Sequence, residues 1–126
     1  MTVSEYLQIT YDYYHQQGII FGVRDRVFCS DGFSISIQGS NVTYCQPREN
    51  RGDYTHLELG FPESAEPLIS DWAEDKNDLT GTVYPFVPIG IIEEVIQKHG
   101  GIDLYRTFQN YTSLLRDLRL KDLGIE

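Results

Sequence analysis

The chain has 126 residues, 19 of them Asp or Glu and 10 Lys or Arg, for a formal charge of −9; 40% are apolar and 23% charged. That apolar share supplies a core and excludes a disordered chain, and the acidic balance excludes a surface that attracts nucleic acid or acidic lipid, favouring partners with basic grooves. No apolar run approaches the roughly 20 residues of a membrane span, and residues 1–5 lack the basic and apolar regions of a secretory signal, so a cytoplasmic protein without membrane contact is expected.

Thr2-Val3-Ser4-Glu5 reads as a capping box, which starts a helix with Val3, Leu7, Tyr11 (beside Thr10) and Tyr14 as its inward stripe and Gly18 as its left-handed end. The spacing then shifts to two. Residues 19–23 and 27–30 read as strands, and Asp31-Gly32 is a turn pair that folds residues 33–38 back on 27–30. Phe33, Ile35 and Ile37 alternate with Ser34, Ser36 and Gln38, the pattern of a sheet with one buried and one polar face.

Residues 42–46 follow as a strand with Val42 and Tyr44 on one side and Thr43 and Cys45 on the other, stopped by Pro47. After a charged loop, residues 54–61 give the clearest strand, with Leu57, Leu59 and Phe61 on one face. Ser64 caps an expected short helix through Trp72, with Pro67 in its first turn. An acidic stretch precedes the Thr80-Gly81 turn and a strand over 82–87. Pro88 opens a helix of about ten residues that turns Ile91, Ile92, Val95 and Ile96 inward and closes at Gly100-Gly101. From Asp103, Leu104, Phe108, Tyr111, Leu115 and Leu118 form a narrow seam on one last helix, too short for a coiled coil and expected to dock on the sheet. The fold class is α+β: an antiparallel sheet of about four or five strands with helices packed on one face, an N-terminal helix and two C-terminal helices. Residues 1–126 read as one domain, with 101–126 as a C-terminal helical extension.

Candidate chemistry is sparse. Cys45, His56 and Glu58, with Arg48 nearby in sequence, have the residue types of a thiol nucleophile, a base and an orienting carboxylate, although alternation alone also puts His56 and Glu58 on a solvated face. Neither the histidines nor Cys29 and Cys45 have zinc-ligand spacing, and the stretch from Asp71 to Asp78 lacks the ligand alternation of a calcium loop, so no metal is expected. No glycine-rich phosphate loop occurs, and no cofactor is expected. The two cysteines are expected free, in a chain with a sufficient core and no secretory signal. Arg48 and Arg51 lie beside Tyr44 and Tyr54 as candidate contact residues, and the tyrosines of the first and last helices exceed what the core can take.

Four stretches, Tyr44-Cys45-Gln46-Pro47-Arg48, Leu59-Gly60-Phe61-Pro62, Thr82-Val83-Tyr84-Pro85-Phe86-Val87-Pro88 and His99-Gly100-Gly101-Ile102, resemble segments of small proteins encoded by phages and prophages. Small acidic phage proteins of this kind include anti-CRISPR proteins, which bind a nuclease effector and block its nucleic-acid site or its movement. The resemblance implies an inhibitor and transfers no residue. With the charge, it gives the expected function: a non-enzymatic inhibitor, monomer or homodimer, that binds the basic groove of a nuclease through Asp71, Glu74, Asp75 and Asp78, with Glu93, Glu94, Arg48 and Arg51 as further contacts. The alternatives are a small enzyme acting on a nucleotide or phosphorylated signal near Cys45, His56 and Arg48, and a phage structural or assembly protein.

Overall fold

A computed structural model describes residues 1–18 and 22–122, with side chains through 117. Residues 19–21 of the expected second element and the Leu118 side chain lie outside the described residues. Helix α1, Val3–Gln16, begins with the expected capping box: the Thr2 hydroxyl accepts the Glu5 N–H at 3.1 Å and Glu5 Oε1 accepts the Thr2 N–H at 2.9 Å. Gly18 follows it with a φ of +66°. The buried stripe is Val3, Tyr6, Leu7 and Thr10, and Tyr11 and Tyr14 are half-buried. Tyr6 takes the inner place because its hydroxyl reaches the Asp25 carbonyl at 2.9 Å, which satisfies the polar end of a buried ring.

Four strands, β1 Val27–Phe28, β2 Ser34–Gln38, β3 His56–Gly60 and β4 Val83–Pro88, form an antiparallel sheet in the order β1-β2-β3-β4. The chain is therefore α+β. The Asp31-Gly32 hairpin is present, with Gly32 at a φ of +97° and Val27 opposite Ile35. Val27, Ile35, Ile37, Leu57, Leu59, Tyr84 and Val87 are buried in one core with Ile92, Val95 and Ile96 of helix α2, Ile89–Lys98. Gly100 and Gly101 both have positive φ, and end that helix as expected.

Several expected elements differ. Residues 22 and 23, the described part of the expected 19–23 strand, form no strand and Val23 is exposed; just after them Arg24 exchanges two 2.9 Å hydrogen bonds with the Gln38 side-chain amide, and Arg26 bonds Ser34. That segment buries Ser34 and Gln38, so two of the three polar positions of β2 are not solvated and Ser36 is half-buried. Residues 42–46 are no strand either, because Thr43 Oγ1 accepts the Ser40 N–H at 2.9 Å and Ser40 Oγ accepts the Val42 N–H at 3.2 Å, local bonds that displace a ladder. Between 64 and 72 the expected helix shrinks to a 3-10 turn, Ser70–Trp72: Pro67 lacks a donor and the Glu66 carboxylate takes the Leu68 N–H at 2.9 Å. Phe61 leaves its strand with a φ of +50° and is exposed.

The last helix is two. Helix α3, Leu104–Thr107, ends in a turn in which the Tyr111 N–H reaches the Phe108 carbonyl at 2.9 Å, and helix α4, Thr112–Asp122, follows. Thr107 Oγ1 accepts the Phe28 N–H at 3.0 Å and donates to the Phe28 carbonyl at 3.2 Å, so α3 closes the edge of β1. The turn lets Phe108 and Tyr111 both be buried, Phe108 against Tyr6 and Tyr111 against Tyr13 and Tyr14 of α1; Leu104 and Leu115 are half-buried.

Candidate functional site

The geometry does not join the sequence's thiol, imidazole and carboxylate into a catalytic unit. Cys45 is buried in the core and its thiol donates to the Ser40 carbonyl at 3.1 Å, whereas the ring of His56 bonds Thr55 Oγ1 through Nδ1 at 2.8 Å. Each side chain is thus engaged away from the other. Glu58 accepts the Tyr44 N–H at 3.2 Å, so it positions backbone. Both cysteines are free and buried, and burial, then the nearby Asp31 carboxylate, push the Cys29 thiol up to about 11.

What residues 42–48 build is a surface. Glu58 anchors the Tyr44 N–H, and the Tyr44 carbonyl accepts the Phe86 N–H at 3.1 Å. Phe86 can reach it because β4 bulges: Leu57 faces Val87 and Leu59 faces Tyr84, so Pro85 and Phe86 oppose Glu58 alone. Pro85 offers no ladder donor at this sheet edge, and Phe86 has a φ of +53°, which turns its ring outward. The Tyr44 and Phe86 rings lie 5.8 Å apart, and the Arg48 guanidinium sits 5.6 Å from the Tyr44 ring centre. Val42, Tyr44 and Phe86 are 77%, 42% and 40% exposed. Arg51 lies 5.5 Å over the Tyr11 ring.

The acidic residues lie elsewhere. Asp71, Glu74, Asp75 and Asp78 are all exposed on the connection between β3 and β4, and none joins an ion pair found among the described residues. Their backbone is ordered: Thr82 Oγ1 accepts the Asp75 N–H at 3.0 Å, and Asp75 Oδ1 accepts the Asn77 N–H at 2.9 Å. Glu94 is exposed. The Glu93 carboxylate, by contrast, accepts the Val3 N–H at the start of α1, where an anion stabilises a helix end, so its role in the fold is to tie α1 to α2.

No group of three or more His, Cys, Asp and Glu side chains among the described residues could hold a metal ion. A cleft of about 230 Å³ lies between Arg26, Phe28, Arg106 and Asn110, below the range of drug-sized pockets. Several of its polar groups are engaged with the protein: Asn110 donates to Asp25 at 3.2 Å, Arg26 to Ser34 at 3.0 Å, and Arg106 stacks 4.5 Å from the Phe28 ring. The chain matches no protein-family model, no curated protein and no solved structure. Sequence reading named Arg48 but missed Tyr44 and Phe86 as a pair, since 42 residues separate them; the two prolines of Tyr84-Pro85-Phe86-Val87-Pro88 were the available sign that this strand could not pair throughout.

Proposed function

We propose that this chain is a non-enzymatic binding protein, an inhibitor of the anti-CRISPR type, which engages a nuclease carrying a basic nucleic-acid-binding groove. The observation that carries a binding role is the exposed group of Val42, Tyr44 and Phe86 with Arg48 at its rim. Tyrosine, phenylalanine and arginine are enriched in protein contacts, the rings because they bury much area at low entropy cost and arginine because its planar fork stacks and donates several hydrogen bonds. The hydrogen bonds through Glu58 and Phe86 fix the backbone beneath, so little order is lost on contact. The net charge of −9 supports the choice of a basic partner, and the carboxylates of Asp71, Glu74, Asp75 and Asp78 supply long-range attraction to it. Arg48 and Arg51 contribute at the aromatic surface.

The test is affinity purification of the tagged full chain from its bacterial host, identification of what co-purifies, and binding kinetics with that protein. Replacing Tyr44 and Phe86 together by Ala is expected to speed dissociation about 10- to 100-fold. Circular dichroism should be unchanged, because both rings are exposed. A co-purifying partner without a basic groove, or unchanged dissociation in the double variant, would overturn the reading.

A further inference from the structure

His99, at the end of α2, joins three segments far apart in sequence. Its Nδ1 lies 2.6 Å from Asp31 Oδ2 on the β1–β2 turn, and its Nε2 lies 2.8 Å from Glu66 Oε1 on the connection between β3 and β4. The ring stacks on Phe33, with centres 4.0 Å apart and planes 10° from parallel. An ionised carboxylate only accepts hydrogen bonds, so an imidazole facing one at each nitrogen must donate from both, which only the imidazolium does.

The other place for a proton is a carboxyl group, and the surroundings disfavour it. Glu66 is 1% exposed and also receives the Leu68 N–H at 2.9 Å and the Lys98 ammonium at 2.9 Å. Asp31 receives the Phe33 N–H at 2.9 Å through its second oxygen. Protonating either would give up an acceptor already in use. Among the described residues, Asp31, Glu66 and Lys98 are the charged groups paired with this ring or its partners, from the hairpin, the connection and α2 itself.

We infer that His99 is an imidazolium clamp between Asp31 and Glu66, and that its deprotonation releases the Asp31 carboxylate, which leaves the hairpin turn held by the backbone bonds of Ser30 N–H to the Gly101 carbonyl and Asp31 N–H to the His99 carbonyl, while the buried Glu66 keeps its donor. Neutral imidazole has one N–H. Leaving buried Glu66 without it costs more than leaving Asp31, whose side chain is half-exposed and can turn to water. The Nε2–H form is therefore retained, and the Nδ1 lone pair then faces the Asp31 oxygen and repels it.

Burial pulls the His99 pKa down, but the hydrogen bonds to Asp31 and Glu66 outweigh it and hold the value above 6.5. A raised folded value means that the clamp's stabilisation is complete below about 6.5 and is lost as pH rises through the folded value. On the acid side, hydrogen bonds hold both carboxyls low: the Phe33 N–H and His99 for Asp31, and for Glu66 the Leu68 N–H, Lys98 and His99 against the upward push of burial. Their contribution is lost only as pH falls through those lowered values.

The experiment is a nuclear magnetic resonance titration of the full chain. At about pH 6, both His99 ring nitrogens are expected to be protonated. As pH rises, the Asp31 to Phe33 amide signals should shift with the titration of His99 while the Leu68 amide stays, and the high-pH ring should carry its proton on Nε2. Asp31→Asn should move the His99 titration down toward 6.5, and His99→Gln should remove the pH-linked shift at the hairpin. Titration of His99 at or below 6.5 in the natural chain, a neutral Nδ1–H form, or movement of Leu68 in place of the hairpin would overturn the proposal.

Discussion

Two buried ions show how single residues hold this fold together. Arg24 is 2% exposed, and its guanidinium donates to Thr10 Oγ1 at 2.6 Å, the Gly39 carbonyl at 2.9 Å and the Leu7 carbonyl at 3.0 Å, so it joins α1 to the end of β2. Burial lowers its pKa, yet an arginine stays charged in proteins, which makes those acceptors necessary. Glu66 is the acidic counterpart, buried beneath Lys98 and His99. The cysteines make a contrast, since burial leaves them inert. A thiol pushed up to about 11, as in Cys29, is hardly ionised at neutral pH and makes a poor nucleophile. Without reductant, an alkylating reagent is expected to modify neither thiol in the folded protein and both in denaturant. Rapid native labelling of Cys45 would restore a reactive thiol at this loop, and resistance in denaturant would reveal a disulfide.

Among the elements, the α3–α4 turn decides which aromatic residues are core. A continuous helix would carry Leu104, Phe108, Tyr111 and Leu115 along one shallow stripe. The break lets Phe108 and Tyr111 sink between β1 and α1, where the Tyr111 hydroxyl accepts the Asp25 N–H at 3.1 Å and the Tyr14 hydroxyl lies 3.2 Å away. Tyr111→Ala should therefore cost about 3–5 kcal/mol, as buried aromatic truncations do. Leu115→Asp, at a half-buried position, should cost about 1–2 kcal/mol. Chemical denaturation of the two variants checks the order, and a larger loss at Leu115 would mean that α4, not the turn, carries the packing.

At the scale of the whole molecule, the aromatic group and the candidate acidic contacts lie on different segments. The aromatic group lies on residues 42–48 and the β4 bulge, while Asp71, Glu74, Asp75 and Asp78 lie on the connection before β4. Long-range attraction governs association and short-range contact governs dissociation. If the partner is basic, replacing Glu74 by Gln and both Asp75 and Asp78 by Asn should slow association and flatten its salt dependence, since salt screens such attraction over about 8–10 Å. Dissociation should barely change. The amide that replaces the Asp75 carboxylate would still offer an oxygen to the Asn77 N–H, so the loop should keep its form. Identical association rates and salt slopes would remove this loop from recognition.

Local chemistry alone determined the capping box at Thr2, the Asp31-Gly32 hairpin, the start of α2 after Pro88 and its glycine end, because each depends on neighbours within about four residues. The acidic surface was legible too, as carboxylates stay in water unless paired. Tertiary structure decided the rest. Ser34 and Gln38 look solvated until Arg24 and Arg26 cross them. Tyr44 meets Phe86 only through the β4 bulge, and His99 meets Asp31 across 68 residues of chain. Periodicity reports which face of an element is apolar; it carries no record of which distant polar group will reach that element, and both the candidate surface and the imidazolium clamp depend on such meetings.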